Sequence, residues 1–339
     1  MAEFVVEKLL WHSKRIEGLL TEGDCYPVQV EFSPTSICNL RCTWCVDREW
    51  RDAFPGVMDP ALYLEMLDSL RLCGVRGIVF EGGGEPTMHG SFAPMVQEAH
   101  KRGFDLGLTT NGVLLPFVAY LVPLFSWVRV SLDAYDRDYY RQMKGRDALD
   151  TVMDGLERAC QAKADTEAAT LLGVSYLLSK EQCDRRKLMA LTETLAQMGV
   201  NYVQYKRLAG YPDLDPGPLD LSYLDALQRA DFAVYHRTED FVLGNGGLPC
   251  LAHALSVQIA GSGDVFVCCR LRQKENGWLG HFGNLNDARF EELWTGAKRR
   301  ALASSLRNGA YCQKICPACR MVPYNRAICS VRDATRSFL

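Results

Sequence analysis

The chain has 339 residues, 48% of them hydrophobic and 23% charged, with a formal net charge of −3. Those proportions are ordinary for a globular protein, and the near-neutral mixture of acids and bases makes no electrostatic case for nucleic acid or an anionic membrane surface as a partner. No apolar run reaches the ~20 residues of a membrane span. The stretch Met1–Trp11 carries acids where an export signal needs positive charge, and no small-residue cleavage site follows. It reads as an amphipathic surface helix, and the expected location is cytoplasmic.

From residue 28 onward, β-rich runs alternate with helical stretches. The predicted strands are Val28–Ser33, Gly77–Phe80, Phe104–Thr110, Trp127–Leu132, Thr170–Leu178 and Tyr202–Lys206. Helices are predicted near Ala61–Cys73, Phe92–Arg102, Leu115–Leu121, Asp147–Ala164 and Arg185–Met198. Strand–helix alternation of this kind implies parallel βα units wound right-handedly. Six units rather than eight predict an α/β fold, a partial (β/α)6 TIM-type barrel, whose ligands gather at the C-terminal ends of the strands. The segment 211–218, Tyr-Pro-Asp-Leu-Asp-Pro-Gly-Pro, is a break. A helix near Tyr223–Tyr235 is predicted after it, and Gly244-Asn-Gly-Gly247 then opens a small cysteine-rich C-terminal region. The expected division is a helical extension at 1–26, the barrel at 27–240 and the C-terminal domain at 241–339.

Fourteen cysteines in a chain of this length, with no export signal, point to metal or cluster binding rather than disulfides. Cys25, Cys73, Cys160 and Cys183 are scattered and read as small buried residues. Cys38, Cys42 and Cys45 instead share one short loop after the first strand, in Cys-Asn-Leu-Arg-Cys-Thr-Trp-Cys. Three thiolates hold three irons of a cubane and leave the fourth open to a ligand. The alternative is a zinc site, which needs a fourth ligand that is not evident nearby. The other strand ends carry Gly82-Gly-Gly-Glu85, Thr110-Asn-Gly112, Ser131-Leu-Asp133 and Lys206-Arg207.

These motifs together resemble the radical S-adenosylmethionine (radical SAM) superfamily over roughly residues 28–206. The resemblance implies that Cys38, Cys42 and Cys45 bind a 4Fe–4S cluster whose open iron is chelated by S-adenosylmethionine. One electron then cleaves the sulfonium, and the resulting 5′-deoxyadenosyl radical abstracts a substrate hydrogen. It assigns S-adenosylmethionine contacts to Trp44, Gly83, Gly84, Glu85, Asn111, Ser131 and Arg141, and strand position adds Ser175, with Gly173, as residues facing the adenosine. Ala134 stands where the family's fourth-strand segment has glycine.

Seven further cysteines, Cys250, Cys268, Cys269, Cys312, Cys316, Cys319 and Cys329, fill the C-terminal region. Asp264–Val267 reads as a hairpin strand after the Gly261-Ser-Gly263 turn. The arrangement resembles the twitch form of the SPASM extension, which implies one auxiliary 4Fe–4S cluster on Cys250, Cys268, Cys316 and Cys319. A zinc ribbon is the alternative for the same pattern. The resemblance implies a small polar substrate (sugar, aminocyclitol or nucleoside), alcohol oxidation with the auxiliary cluster as electron acceptor, and an external donor such as flavodoxin or ferredoxin. Decarboxylation of a sugar-nucleoside acid and maturation of a ribosomal peptide are the alternatives. Lys206 and Arg207 are the candidate catalytic residues.

Overall fold

The computed structural model describes residues 6–208, 211–237, 248–309, 319 and 321–334. The strands are β1 (Gln29–Phe32), β2 (Gly77–Phe80), β3 (Asp105–Thr110), β4 (Trp127–Ser131), β5 (Leu171–Leu178), β6 (Tyr202–Arg207), β7 (Ala233–Arg237), β8 (Ser256–Ile259), β9 (Asp264–Phe266) and β10 (His281–Asn284). Helices α1 (Ser13–Thr21) and α2 (Arg48–Ala53) flank β1, and α3 (Pro60–Leu72), α4 (Phe92–Lys101) and α5 (Leu115–Val118) follow. The others are α6 (Arg137–Lys144), α7 (Leu149–Asp165), α8 (Arg185–Met198), α9 (Phe290–Thr295), α10 (Ala297–Arg307) and α11 (Val322–Asp333). From β1 to β6 strands and helices alternate, the α/β partial-barrel arrangement that the sequence pattern predicts. Among the described residues no helix is long and apolar enough to cross a membrane.

The chain divides into two compact units, one of Met1–Ser33, Glu49–Ile78 and Phe241–Leu339, the other of Pro34–Arg48 and Val79–Asp240. In the second unit β3 to β7 lie in chain order, each parallel to the next. Strand alternation sorts their side chains onto two faces. Val130, Val174, Val203 and Tyr205 are buried on the face that meets the helices, where the Tyr205 hydroxyl lies 2.7 Å from Thr192 Oγ1 of α8. Ser131, Ser175, Gln204 and Lys206 share the opposite face, aligned by the pairs Ser131↔Ser175 and Ser175↔Gln204.

Gly173, on that polar face, is opposite Tyr202. A Cβ at Gly173 would lie 2.0 Å from the Tyr202 ring, so the ring fills the space a side chain would take. Gly173→Ala is expected to cost about 1–3 kcal/mol through overpacking; thermal unfolding of the variant checks it.

Two elements depart from the sequence reading. The helix predicted near Tyr223–Tyr235 is instead a 3-10 turn, Ser222–Leu227, followed by strand β7. The chain reverses where Arg229 and Phe232 exchange backbone hydrogen bonds, and β7 then pairs with β6 from Tyr202↔Ala233 to Lys206↔Arg237. The open donors and acceptors of β6 outweigh the helical periodicity of the segment. Second, Arg137–Lys144 forms a full helix, α6. The Asp136 side chain accepts from Tyr139 N at 2.9 Å to cap it, and Gly145 ends it at φ 73°.

In the first unit β1 runs parallel to β8, Gln29↔Ser256 to Phe32↔Ile259. β8 and β9 form an antiparallel hairpin, and β10 pairs antiparallel with β9. One apolar cluster joins Leu19, Leu251, Leu255, Ile328 and Cys329, and another packs Trp50 and Phe266 with Phe54 and Trp278.

Candidate functional site

The loop that carries Cys38, Cys42 and Cys45 lies in the second unit, and all three residues are half-buried. Cys45 N donates to Cys42 O at 3.2 Å, and Arg48 Nη2 donates to the same carbonyl at 2.8 Å. The middle of the loop is fixed to the C-terminal end of α6. Arg41 N donates to Lys144 O and Thr43 N to Met143 O, each at 2.9 Å. Helix-end carbonyls lack partners within the helix, so the loop supplies donors they need. Trp44 is buried in the same loop. Burial pushes the Cys42 thiol up to about 11, against the pull of the nearby Lys144 ammonium. Among the described residues no three His, Cys, Asp or Glu side chains gather closely enough to hold a single metal ion. Cubane ligands bind different irons and need not converge on one point.

The glycine run after β2 packs directly on this loop. Gly84 N donates to Thr35 O at 2.9 Å, and Glu85 N donates to Ile37 O at 2.8 Å. A Cβ at Gly84 would sit 2.2 Å from Ile37 O and 2.4 Å from Thr35 O, so only glycine fits. Gly83, at φ 79°, donates its N–H to Asp47 Oδ2 at 3.1 Å. The Glu85 carboxylate is buried and well supplied with donors. Its Oε1 accepts from Thr110 Oγ1 at 2.6 Å, Thr87 Oγ1 at 2.7 Å and Thr87 N at 3.2 Å, and its Oε2 accepts from Asn111 N at 2.8 Å. Burial raises its pKa and these hydrogen bonds oppose the rise. The Glu85 side chain thus ties the end of β2 to the end of β3. Asn111 extends the tie, with Nδ2 2.7 Å from Asn39 Oδ1 and 3.9 Å from Cys38 Sγ.

Ser131, the last residue of β4, stands beside Ser175 within β5, with Leu132 N donating to Ser175 O at 3.0 Å. Arg141 lies on α6 with an exposed side chain paired to Asp138 at 2.9 Å. The buried cation of that helix is Lys144. Its Nζ is 2.9 Å from Asp133 Oδ2 and donates to Ser131 O at 2.6 Å. Lys206 lies on the Ser175 face of the sheet and Arg207 on the other. Arg207 grips Asp215 with Nε and Nη2 at 2.5 and 2.7 Å, and that hydrogen-bonded pairing holds the Asp215 carboxyl at about 2.

Sequence reading missed Asp133 and Lys144 as a buried pair, Tyr140 beside them, and Gln204, which is buried in the row of Ser131 and Ser175 with its Oε1 unpartnered among the described residues. The i, i+4 spacing of Tyr140 and Lys144 was the available signal for one face of a helix. Period-two alternation in Tyr-Val-Gln-Tyr-Lys was the signal for Gln204.

In the first unit, Cys268 and Cys319 lie close enough to interact electrostatically. Burial pushes the Cys268 thiol up to about 11, while N–H bonds from Leu271 and Arg270 act to lower it. Cys319 Sγ accepts from Met321 N at 3.4 Å. Cys250 is anchored by its N–H to Leu306 O at 3.0 Å, and its carbonyl meets His253 Nδ1 at 2.6 Å. Cys312 and Cys316 fall outside the described residues. Cys329 belongs to the apolar cluster of α11, with Sγ 3.8 Å from Pro249 O.

Both cysteine sets therefore fit an iron–sulfur role in donor chemistry. One offers three thiols on a single clamped loop, with an amide approaching Cys38. The other offers thiols that already receive backbone N–H groups, the contacts that cluster-bound sulfurs take. This is donor chemistry suited to an α/β iron–sulfur protein.

Comparison with known proteins gives the family. Residues 32–179 match the radical SAM superfamily, and residues 250–320 match the SPASM iron–sulfur cluster-binding domain. The chain thus carries a radical SAM domain and a C-terminal SPASM domain, which imply S-adenosylmethionine, a 4Fe–4S cluster that binds it, and auxiliary iron–sulfur chemistry as its cofactors.

It is 49% identical over 82 residues to the tungsten-containing aldehyde ferredoxin oxidoreductase cofactor-modifying protein of Pyrococcus furiosus, a match spanning 24% of this chain and 23% of that one. It is 33% identical over 136 residues to a GTP 3′,8-cyclase of Campylobacter fetus, spanning 38% and 41%. These matches thus cover well under half the length of either relative. Among solved structures, Streptococcus suis SuiB bound to S-adenosylmethionine superposes with a TM-score of 0.64 at 15% identity, covering 89% of this chain and 72% of SuiB. The structure of anSMEcpe with bound AdoMet gives 0.57 at 18% identity, covering 88% of each. At these identities the likeness is one of fold.

Proposed function

We propose that this radical SAM enzyme oxidises an alcohol on a small polar substrate of sugar, aminocyclitol or nucleoside type, with a cluster in the SPASM region as electron acceptor. Cys38, Cys42 and Cys45 would hold the first cluster. Trp44, Gly83, Gly84, Glu85, Asn111, Ser131, Arg141 and Ser175 would frame S-adenosylmethionine, Glu85 by fixing the glycine turn and Asn111. Cys250, Cys268, Cys316 and Cys319 would hold the auxiliary cluster. When bound, these groups supply one-electron sulfonium cleavage, hydrogen-atom abstraction and a site for a second electron.

The observation that carries this reading is the presence of two cysteine sets on separate units, each with N–H groups already directed at sulfur. Of the two candidate catalytic residues, Lys206 shares the face of Ser131 and Ser175. It is the group for orienting a substrate oxygen or taking its proton. Arg207 serves through Asp215, bracing the segment after β6. The reductant is an external one-electron donor of the flavodoxin or ferredoxin kind. A second reading, modification of a nucleotide or an enzyme cofactor, draws on the 33% identity over 136 residues to the GTP 3′,8-cyclase and the 49% identity over 82 residues to the cofactor-modifying protein.

Iron analysis tests the two-cluster reading. Anaerobically reconstituted protein is expected to hold about eight irons, and Cys268→Ala about four. That variant should still cleave S-adenosylmethionine while losing product turnover. Four irons accompanied by zinc in the wild type would remove the auxiliary assignment. Incubation with aminocyclitols, nucleosides and GTP separates the substrate readings: a ketone formed with 5′-deoxyadenosine supports oxidation, and turnover of GTP alone supports the second.

A further inference from the structure

Behind the first cysteine loop lies a buried polar group that none of the assigned roles uses. Lys144 and Asp133 are buried at 2% and 4% side-chain exposure and stand 2.9 Å apart. Asp133 adopts φ 59°, a left-handed conformation unusual outside glycine, and its Oδ1 accepts from Leu177 N of β5 at 2.9 Å. The end of β4 is thereby shaped to hold this carboxylate under Lys144.

One turn back on α6, Tyr140 is fully buried with its ring centroid 5.1 Å from Lys144 Nζ, and its hydroxyl has no partner among the described residues. A buried hydroxyl left unpaired costs free energy, so the site is built for an acceptor that it would meet. Cys42, Lys144, Asp133 and Glu85 are titratable groups around that hydroxyl, and Cys42 feels both Lys144 and Asp133. Backbone geometry fixes this proximity, because Arg41 and Thr43, on either side of Cys42, are hydrogen-bonded to the carbonyls of Lys144 and Met143.

We propose that Tyr140, Lys144 and Asp133 are positioning residues for the cluster on the Cys38–Cys42–Cys45 loop: the Tyr140 hydroxyl is a spare donor for the cluster that the loop would hold, and the opposed charges of Lys144 and Asp133 set the reduction potential. This rests on the reading of that loop as the cluster site. Reduction adds negative charge to the cluster. A neighbouring cation or a donor to sulfur stabilises the reduced form and raises the potential, and a neighbouring anion lowers it.

The experiment is an EPR-monitored redox titration of anaerobically reconstituted full-length protein, with the first cluster recognised by the change of its signal on adding S-adenosylmethionine. Tyr140→Phe keeps the shape of the site and is expected to shift the midpoint downward with iron content unchanged. Lys144→Met should shift it downward, Asp133→Asn upward, and the double variant should return close to wild type. A merely structural pair would not produce shifts of opposite sign. Midpoints unmoved in Tyr140→Phe and in Asp133→Asn, or shifted the same way in Lys144→Met and Asp133→Asn, would overturn the proposal. Wild-type protein with no S-adenosylmethionine-responsive cubane signal would overturn the reading of the loop itself, and the proposal with it.

Discussion

Cys42→Ala is expected to abolish 5′-deoxyadenosine formation under dithionite, a loss to the background of protein without iron. Cys42 is the central thiol of the loop, and its carbonyl takes hydrogen bonds from Cys45 N and Arg48 Nη2. Alanine leaves that backbone lattice intact, so the variant should fold with near-normal stability. What disappears is one of three thiolates, without which the first cubane loses an iron ligand. Chromatographic assay of 5′-deoxyadenosine, with iron content measured alongside, makes the check. The expected pattern is about four irons remaining, attributable to the SPASM region. Continued cleavage at the wild-type rate would break the assignment of the loop. The contrast with Cys268→Ala is the informative part, since that variant is expected to lose a comparable amount of iron and keep the cleavage.

Gly84→Ala should be nearly as damaging, by a different route. The added methyl would lie 2.2 Å from Ile37 O and 2.4 Å from Thr35 O. Both contacts are to backbone, so no side chain can swing aside. Relief requires the glycine run to part from the segment leading into Cys38, breaking the bonds of Gly84 N to Thr35 O and Glu85 N to Ile37 O. A cost of about 3 kcal/mol is expected, the upper part of the range for overpacking. Binding of S-adenosylmethionine should fall further than stability does, because the displaced segment is the one that positions both Cys38 and the glycine backbone. Thermal unfolding and equilibrium binding measured on the same preparation separate the two effects. An alanine variant with wild-type melting and binding would show that this contact does not shape the site.

Some of the site was readable from residue spacing and some was not. Strand ends are marked by local chemistry: a run of β-branched residues stops and glycines or polar residues begin. That is why the cysteine loop, Gly82–Glu85, Asn111 and Ser131 were found in order along the chain. The helix at 137–144 was harder, because its sequence is strongly charged. Its apolar face is made of Tyr139, Tyr140 and Met143, and its end is recognised by the loop of Arg41 and Thr43. Strand β7 was hidden for the converse reason: its pairing partner, β6, is some thirty residues earlier, and no local pattern announces an unfilled sheet edge. Arg141 and Lys144 show the same limit at the level of single side chains. Both are cations on one short helix. Only the fold decides that one pairs with Asp138 in solvent and the other with Asp133 in the interior.

The sequence by itself determined the chemistry: three thiols in one loop, a second thiol set near the C-terminus, and a strand–helix alternation that brings the motifs to strand ends. Covalent spacing and hydropathy period are local properties, and these features depend on nothing else. The tertiary structure alone decided which groups are available and which are already engaged. It gave Glu85 to Thr87, Thr110 and Asn111, gave Arg207 to Asp215, and set a buried phenol and a buried ion pair behind Cys42. Those outcomes depend on desolvation and on partners distant in the chain, and neither is written in the spacing of residues.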